Sequence, residues 1–277
     1  MKGIILVPVD FSLNSVLALD YAAALARKSR SPILLLHAVY AGPLNGLLTP
    51  AAAREESRRK LKELEQRARE AKVKCGSVLK TGLAVNAILE RARKKDIGLI
   101  IMGTKGASGI KGALLGSVTA AVIGRASCPV IAVPERYIFR DIRHIVYASD
   151  YRSSDTEALA ALSDMAGLMG AEITVIHVPD GETDEYIEKL HLEDFEKEIR
   201  EKVGSRQISF RLRYGPNTGN ALEKTIRYRH PQLLAMSTRH RTFLEKLFRP
   251  SLARSISLRT PIPLMVFHHK KESLVFI

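Results

Sequence analysis

Residues 99–106 read LIIMGTKG, and after nine further residues Gly116-Ser117 follow. The apolar run before Gly103 predicts a buried β-strand, and residues 117–123 (SVTAAVI) predict a helix that begins with a serine. A glycine-containing loop between a strand and a helix start is typical of an anion site. Glycine lets backbone N–H groups approach a phosphate, and the helix start supplies unpaired donors. The stretch therefore predicts a phosphate-binding loop different from the P-loop and from G-x-G-x-x-G, with an ordinary surface loop as the alternative.

The first 138 residues alternate short apolar runs with helical patterns. The apolar runs cover residues 3–9, 32–39, 73–79, 99–102 and 130–133, and the helical patterns cover residues 14–28, 51–72, 86–94 and 117–123. Continuous apolar runs indicate strands that are covered on both faces, as in a parallel sheet. This order predicts an α/β fold with a Rossmann-like, doubly wound, open parallel sheet of five strands. Ligands of such sheets bind beyond the carboxyl ends of the strands, where Asp10, Val39 and Gly103 are expected.

The chain then repeats this pattern. Asp10 and His37 recur as Asp150 and His177 at an offset of 140, and Pro129 recurs as Pro263 at an offset of 134. A period of a whole domain predicts two tandem domains of the same fold, residues 1–138 and 139–277. The two histidines lie near the ends of apolar strands, so we interpret them as packing residues rather than ligands or catalysts.

The second copy lacks the phosphate loop. At the offset of 134, the glycines at positions 103, 106 and 116 are replaced by Ser237, His240 and Pro250. Proline removes a backbone donor at the expected helix start, and histidine adds bulk where the backbone would approach a phosphate. Arg239, Arg241 and Arg249 could still hold an anion, but not by the same mechanism. We therefore expect the second copy to be degenerate, serving as a scaffold, a dimerisation partner or a regulatory half.

The pattern Gly103-x2-Gly106-x9-Gly116-Ser117 resembles the nucleotide-binding motif of the universal stress protein family, in its ATP-binding branch. The resemblance extends to Val7-Pro8-Val9-Asp10 and to Pro129-Val130-Ile131-Ala132-Val133, and it is closer in the first half than in the second. It implies a protein that binds an adenine nucleotide (ATP, ADP or AMP), with or without Mg²⁺, and that acts as a sensor or regulator in stress.

The resemblance also implies where the nucleotide binds. Asp10, in the turn with Pro8 and Val9, would approach the adenosine, and Val39 would contact the adenine. Met102 and Gly103 would line the floor of the pocket. The phosphates would meet Gly106, Gly116, Ser117, Val118 and Thr119. Lys105 and Lys111 are additional guesses from charge alone.

Composition narrows the possible partners. The net charge is +14, and it is concentrated in residues 1–138, which hold 22 Lys+Arg against 10 Asp+Glu, compared with 21 against 19 in the remainder. Such a charge favours anionic partners. Much of the excess lies in residues 51–72, where acidic residues alternate with basic ones and aromatics are missing, so a solvated helix is favoured over a nucleic-acid surface.

The cysteines, the histidines and the short apolar runs argue against a disulfide, a metal site, a signal peptide and a membrane-spanning segment. Cys75 and Cys128 lack metal-ligand spacing, so buried free thiols in a cytoplasmic protein are expected. His268-His269 is interpreted as part of a terminal tail without further metal ligands. Residues 1–10 predict a strand rather than a signal peptide, and we expect no membrane-spanning segment.

Three functions remain open from the sequence. A nucleotide-binding regulator is favoured, because no catalytic residue or clear Mg²⁺ carboxylate accompanies the phosphate loop. A slow ATPase or a nucleotidyl-transfer enzyme would need a positioned base, and Asp10 is the only carboxylate expected at the site. A nucleic-acid binder has support from charge alone.

Self-association is expected through the last strand of each copy. Residues 130–133 and 264–267 are apolar and follow a proline, and an apolar edge strand is prone to pair with another strand. We therefore expect the two halves to pair through these strands as an intrachain pseudo-dimer, with a homodimer of chains also possible.

Overall fold

The structure is a computed structural model that describes residues 3–39, 49–104, 116–135, 137–179, 183–204, 207–215, 218–238 and 262–268. Strands and helices alternate in the first half as predicted, and their ends differ from the predicted ones by at most two residues. The elements are β1 (Ile4–Pro8), α1 (Leu13–Ser29), β2 (Ile33–Val39), α2 (Pro50–Glu70), β3 (Cys75–Thr81), α3 (Ala84–Ala92), β4 (Ile97–Gly103), α4 (Ser117–Ile123) and β5 (Val130–Val133).

The second half repeats this order as far as the structure describes it. Its elements are β6 (His144–Ala148), α5 (Ser153–Met169), β7 (Glu172–His177), α6 (Glu185–Val203), β8 (Ile208–Leu212), α7 (Thr218–Arg229), β9 (Leu233–Thr238) and β10 (Leu264–His268). The repeat seen in the sequence is therefore a repeat of structure.

All ten described strands form one sheet, in the order β3-β2-β1-β4-β5-β10-β9-β6-β7-β8. Within each half the neighbouring strands are parallel. The halves meet where β5 and β10 pair antiparallel, with Met265 opposite Ile131. The expected pairing of the two halves through these strands is thus present. It covers two apolar edges that would otherwise be open to solvent.

Two hydrophobic layers hold the sheet. Side chains of successive strand residues point to opposite faces, so Ile5 and Val7 pack on one side of β1 and Leu6 on the other. The first layer includes buried residues of α1, α2, α5 and α6, and the second includes those of α3, α4 and α7. Both faces of the sheet are therefore covered, as continuous apolar strands predict.

The segment between the halves is anchored to both of them. The rings of Tyr137 and Phe139 pack on Tyr21 of α1, with centroids 6.1 and 5.2 Å away. The Tyr137 hydroxyl donates to the Gln232 carbonyl oxygen at 3.4 Å. Lys28 of α1 forms an ion pair with Asp141 at 2.7 Å. These contacts add to the β5–β10 pairing in holding the halves together.

One expectation about the end of the chain is wrong. His268 is the last residue of β10 and is partly buried, rather than a member of a tail. Its Nε2 contacts the carbonyl oxygen of Ile123, the last residue of α4. Burial lowers the pKa of His268 below its ordinary value. The sequence could not show this, because Ile123 is 145 positions away.

Candidate functional site

The strand order places a crevice between β1 and β4. From β1 the chain passes through α1 to β2 on one side, whereas β4 lies on the other side. This is the topological switch point, where doubly wound sheets bind their ligands. Pro8, Val9 and Asp10 lie at the carboxyl end of β1, and Met102 and Gly103 lie at the end of β4. Val39 ends the adjacent strand β2, so the structure brings these predicted residues to one edge.

The turn after β1 is held by its own polar groups. The Ser12 backbone N–H and hydroxyl both donate to Asp10 Oδ1, at 3.1 and 2.6 Å. Ser12 also caps α1 by accepting from the Ser15 N–H at 3.3 Å. Asp10 is therefore fixed in position by the start of α1. Phe11 between them has a positive φ of 64°, a conformation rare for a bulky residue.

A histidine of β2 holds this turn through a hydrogen bond to its backbone. His37 Nδ1 lies 2.7 Å from the Val9 carbonyl oxygen, which can only accept, so Nδ1 carries the proton and donates. The Phe11 ring packs on the imidazole with centroids 4.3 Å apart. His37 thus acts as a packing residue, in agreement with the sequence interpretation.

Gly103 is required for a reason that the sequence does not reveal. A Cβ at this position would lie 3.0 Å from the Asn14 carbonyl oxygen and 3.1 Å from the Asn14 Cβ. The glycine therefore lets the first turn of α1 pack directly against the end of β4. From the sequence, Gly103 is predicted instead to belong to a phosphate-binding loop and to line the floor of the nucleotide pocket.

The start of α4 is tied to the end of β4. The Thr119 hydroxyl, which is buried, donates to the Gly103 carbonyl oxygen at 2.8 Å. The Gly116 N–H donates to the Thr104 carbonyl oxygen at 2.6 Å. Both protons are used within the fold, which leaves the N–H groups at the first helical positions, Ser117 and Val118, without intrahelical acceptors. Lys105, Gly106 and Lys111 lie outside the described residues.

The equivalent crevice of the second half, between β6 and β9, holds a buried carboxylate. Asp155 of α5 is 2% exposed. It accepts hydrogen bonds from the Tyr147 hydroxyl at 2.7 Å, from the Ser149 hydroxyl at 2.7 Å and from the Ser237 hydroxyl. The backbone N–H groups of Asp150 and Arg152 donate to its Oδ2 at 3.2 and 3.4 Å. Sequence reasoning missed this cluster, although its four side chains occupy positions equivalent to first-half crevice positions.

Comparison with known proteins identifies the family. A sequence profile described as "Universal stress protein family" matches residues 1–134 and again residues 141–268. The chain belongs to the universal stress protein family. Its two matches make it a tandem member, in which the universal stress protein domain occurs twice.

Individual relatives agree with this assignment. Universal stress protein MJ0531 of Methanocaldococcus jannaschii is 35% identical over 136 residues, which are 47% of this chain and 80% of that protein. Universal stress protein YxiE of Bacillus subtilis is 31% identical over 142 residues, which are 46% of this chain and 96% of that protein. A solved universal stress protein from Archaeoglobus fulgidus covers 97% of both chains with a TM-score of 0.74 and 22% identity, a likeness in fold.

The second universal stress protein domain repeats the histidine arrangement with an added acid. His177 Nδ1 donates to the Ser149 carbonyl oxygen at 2.8 Å, and the ring stacks on Tyr151 at 4.1 Å. His177 Nε2 lies 3.5 Å from Oε2 of the buried Glu188. Tyr151 has a positive φ of 57°, matching Phe11 in the first domain. Its buried hydroxyl lacks a partner within the described residues, and burial raises its pKa.

The basic helix α2 of this universal stress protein is largely neutralised by ion pairs. Arg59 contacts both Glu56 and Glu63, at 2.7 and 2.6 Å. Arg67 donates two hydrogen bonds to Asp20 of α1, at 2.6 and 2.8 Å. The Arg59 guanidinium lowers the pKa of Glu56 to about 2. This arrangement is that of a solvated helix, as the alternating charges predicted.

Cys128 is buried as expected, whereas Cys75 is only partly buried. Cys75 and Cys128 are free thiols, and burial raises their pKa values to about 12 and 11. In the described parts of the chain, no three His, Cys, Asp or Glu side chains gather as a metal site. The helices of those parts are all too short or too polar to cross a bilayer.

Proposed function

We propose that this universal stress protein binds one adenine nucleotide per chain, in the crevice between β1 and β4 of the first domain. It acts in the cytoplasm as a nucleotide-dependent sensor or regulator of a stress response. The observation that carries the proposal is the position of the motif. Gly103 and Gly116-Ser117 flank a switch-point crevice whose described wall holds no buried acid, since Asp10 in the turn is partly exposed.

The proposed contacts are those implied by the resemblance to nucleotide-binding universal stress proteins. Asp10, held by Ser12, would accept hydrogen bonds from the adenosine, with Pro8 and Val9 beside it. Val39 would pack on the adenine, and Met102 and Gly103 would form the floor.

The phosphates of ATP, ADP or AMP, with or without Mg²⁺, would lie at the start of α4. The proposed phosphate residues are Gly106, Gly116, Ser117, Val118 and Thr119. The Ser117 and Val118 N–H groups would donate to the phosphates, because they lack acceptors within the helix. Gly116 and Thr119 would act by holding α4 against β4, since their own protons are donated to Thr104 and Gly103.

A direct experiment tests the proposal. Protein purified without added nucleotide is denatured, and the supernatant is analysed for released ATP, ADP and AMP. Calorimetric titration of stripped protein with ATP then measures stoichiometry, for which we expect one site per chain. Two equivalent sites, or no binding by a folded chain, would refute the proposal.

The same preparation separates the alternatives. Steady release of ADP or AMP would indicate a slow ATPase or nucleotidyl-transfer enzyme, in which Asp10 is the only carboxylate available at the described crevice. Titration with duplex and single-stranded DNA tests nucleic-acid binding, against which the ion-paired surface of α2 argues. Sedimentation of the chain tests whether the intrachain pseudo-dimer associates further into a homodimer.

A further inference from the structure

The two switch-point crevices carry different residues at four equivalent positions. The first domain has Val7, Val9, Ser15 and Gly103, and the second has Tyr147, Ser149, Asp155 and Ser237. The offsets are 140 for the first three positions and 134 for the last. Every replacement adds a hydroxyl or a carboxylate, and the three hydroxyls all donate to Asp155. The four residues therefore form one polar unit that the first domain lacks.

The second crevice consequently carries a buried negative charge. Both oxygens of Asp155 accept hydrogen bonds, and each donor is a neutral hydroxyl or backbone N–H. Among the described residues, Asp155 takes part in no ion pair. Burial and the charge of Asp155 raise the pKa of the neighbouring Tyr147 phenol well above its ordinary value. Hydrogen bonds stabilise the charge, and no cationic side chain of the described residues forms an ion pair with it.

The first crevice is neutral at the same place. Ser15 is buried, and its hydroxyl donates to the Ser12 carbonyl oxygen at 2.9 Å. Val7 and Val9, which stand where Tyr147 and Ser149 stand in the second domain, are buried and apolar. A carboxylate at position 15 would lack the three hydroxyl donors that hold Asp155.

We infer that position 15 and its counterpart Asp155 determine which domain accepts a phosphate-bearing ligand. Asp155 excludes phosphate from the crevice between β6 and β9, and the neutral Ser15 admits it between β1 and β4. Like charges a few ångströms apart repel each other near a protein surface, where the effective dielectric constant is about 20. This selectivity rests on the proposed nucleotide binding, and it assigns the difference between domains to a residue on α5, outside the phosphate motif.

The experiment compares Ser15→Asp with Ser15→Asn in the full chain. The two variants have nearly the same shape and differ in charge. Each is titrated with ATP and with adenosine, which carries no phosphate. We expect Ser15→Asp to weaken ATP binding about 100-fold relative to Ser15→Asn, as for unit charges about 6 Å apart at an effective dielectric constant of about 20. Adenosine should bind the two variants with similar affinity.

Each outcome decides a different question. If the unaltered chain binds no ATP, the proposed function itself is wrong. If it binds ATP and Ser15→Asp does so as well as Ser15→Asn, the charge inference is wrong. Equal losses of ATP and adenosine affinity would indicate a disturbed crevice rather than repulsion of phosphate, and would also overturn the inference. Two ATP molecules per unaltered chain would refute the single-site proposal and would also show that Asp155 does not exclude phosphate.

A second pair of variants covers the case in which Ser15→Asp does not fold. Val9→Ser adds the hydroxyl that Ser149 supplies to Asp155 in the second domain. Val9→Ser/Ser15→Asp and Val9→Ser/Ser15→Asn again differ in charge alone. The same ratio of ATP to adenosine affinities is expected, and its absence would overturn the inference.

Discussion

Replacing Gly103 by alanine tests how closely α1 packs against the candidate crevice. The added Cβ would lie 3.0 and 3.1 Å from two atoms of Asn14, closer than the 3.4 Å at which ordinary contact begins. One of these atoms is a backbone oxygen at the start of α1, so it cannot rotate away. The helix start must shift, and overpacking of this kind lowers stability by about 1–3 kcal/mol.

Part of this loss is offset in the unfolded chain. Alanine is less flexible than glycine there, which stabilises the folded state by about 0.4–1 kcal/mol. We therefore expect a net loss of about 1–2 kcal/mol, or a fall in melting temperature of about 2–8 °C for a chain of this size. Thermal unfolding followed by circular dichroism measures this loss. Because Asn14 adjoins the turn that holds Asp10, ATP affinity should fall as well.

Gly76→Ala is the matched control. Gly76 lies in β3, and a Cβ added there would meet nothing within 4 Å. This substitution should leave stability unchanged or raise it by up to about 1 kcal/mol. If Gly103→Ala is as stable as Gly76→Ala and binds ATP normally, the close packing of α1 on β4 does not constrain position 103, and the reasoning is refuted.

The remaining predictions concern the core, the second crevice, the junction and the loop. Tyr21→Phe should raise stability by about 1 kcal/mol, because the buried Tyr21 hydroxyl lacks a partner within the described residues; a loss in thermal unfolding would reveal a partner. Asp155→Asn should lower the free energy of unfolding by about 1–3 kcal/mol in urea titration, since an amide cannot accept all five hydrogen bonds, whereas Asp150→Asn at an exposed site should change it little. Ile131→Lys buries an unpaired ammonium where β5 meets β10, and we expect increased binding of a hydrophobic dye; normal stability of this variant would contradict the junction. Gly116→Pro should weaken ATP binding at least about 10-fold in calorimetry, because it removes the N–H that ties α4 to Thr104, and unchanged affinity in a folded variant would argue against this loop as the phosphate site.

Most of the architecture could be predicted from the sequence. Continuous apolar runs separated by helical patterns indicate a parallel α/β sheet, because strands covered on both faces have no polar side. The recurrence of Asp10 and His37 as Asp150 and His177 indicates the tandem repeat, and the structure gives both histidines the same hydrogen bond to a backbone carbonyl. The pairing of β5 with β10 could also be predicted, because the apolar character of each strand is visible in its own segment. The individual nucleotide contacts stay predictions.

Other features could not be predicted, because they depend on contacts between distant residues. The role of Gly103 was predicted from the loop that follows it, whereas the atoms nearest to a Cβ at this position belong to Asn14 in α1. His268 was interpreted as part of a tail, although it packs on the end of α4. In each case the deciding partner is about 90 to 145 positions away in the chain.

The sequence by itself determined the order of the elements, the duplication and the family, because residue type and spacing encode these locally. The tertiary structure alone decided that three of the four replacements in the second domain converge on the fourth, Asp155. Ser237 and Tyr147 are 90 residues apart, and each is unremarkable in its own segment. They donate to the same carboxylate because the switch point brings the ends of β6 and β9 beside the start of α5. The charge of the second crevice therefore depends on residues that only the fold brings together.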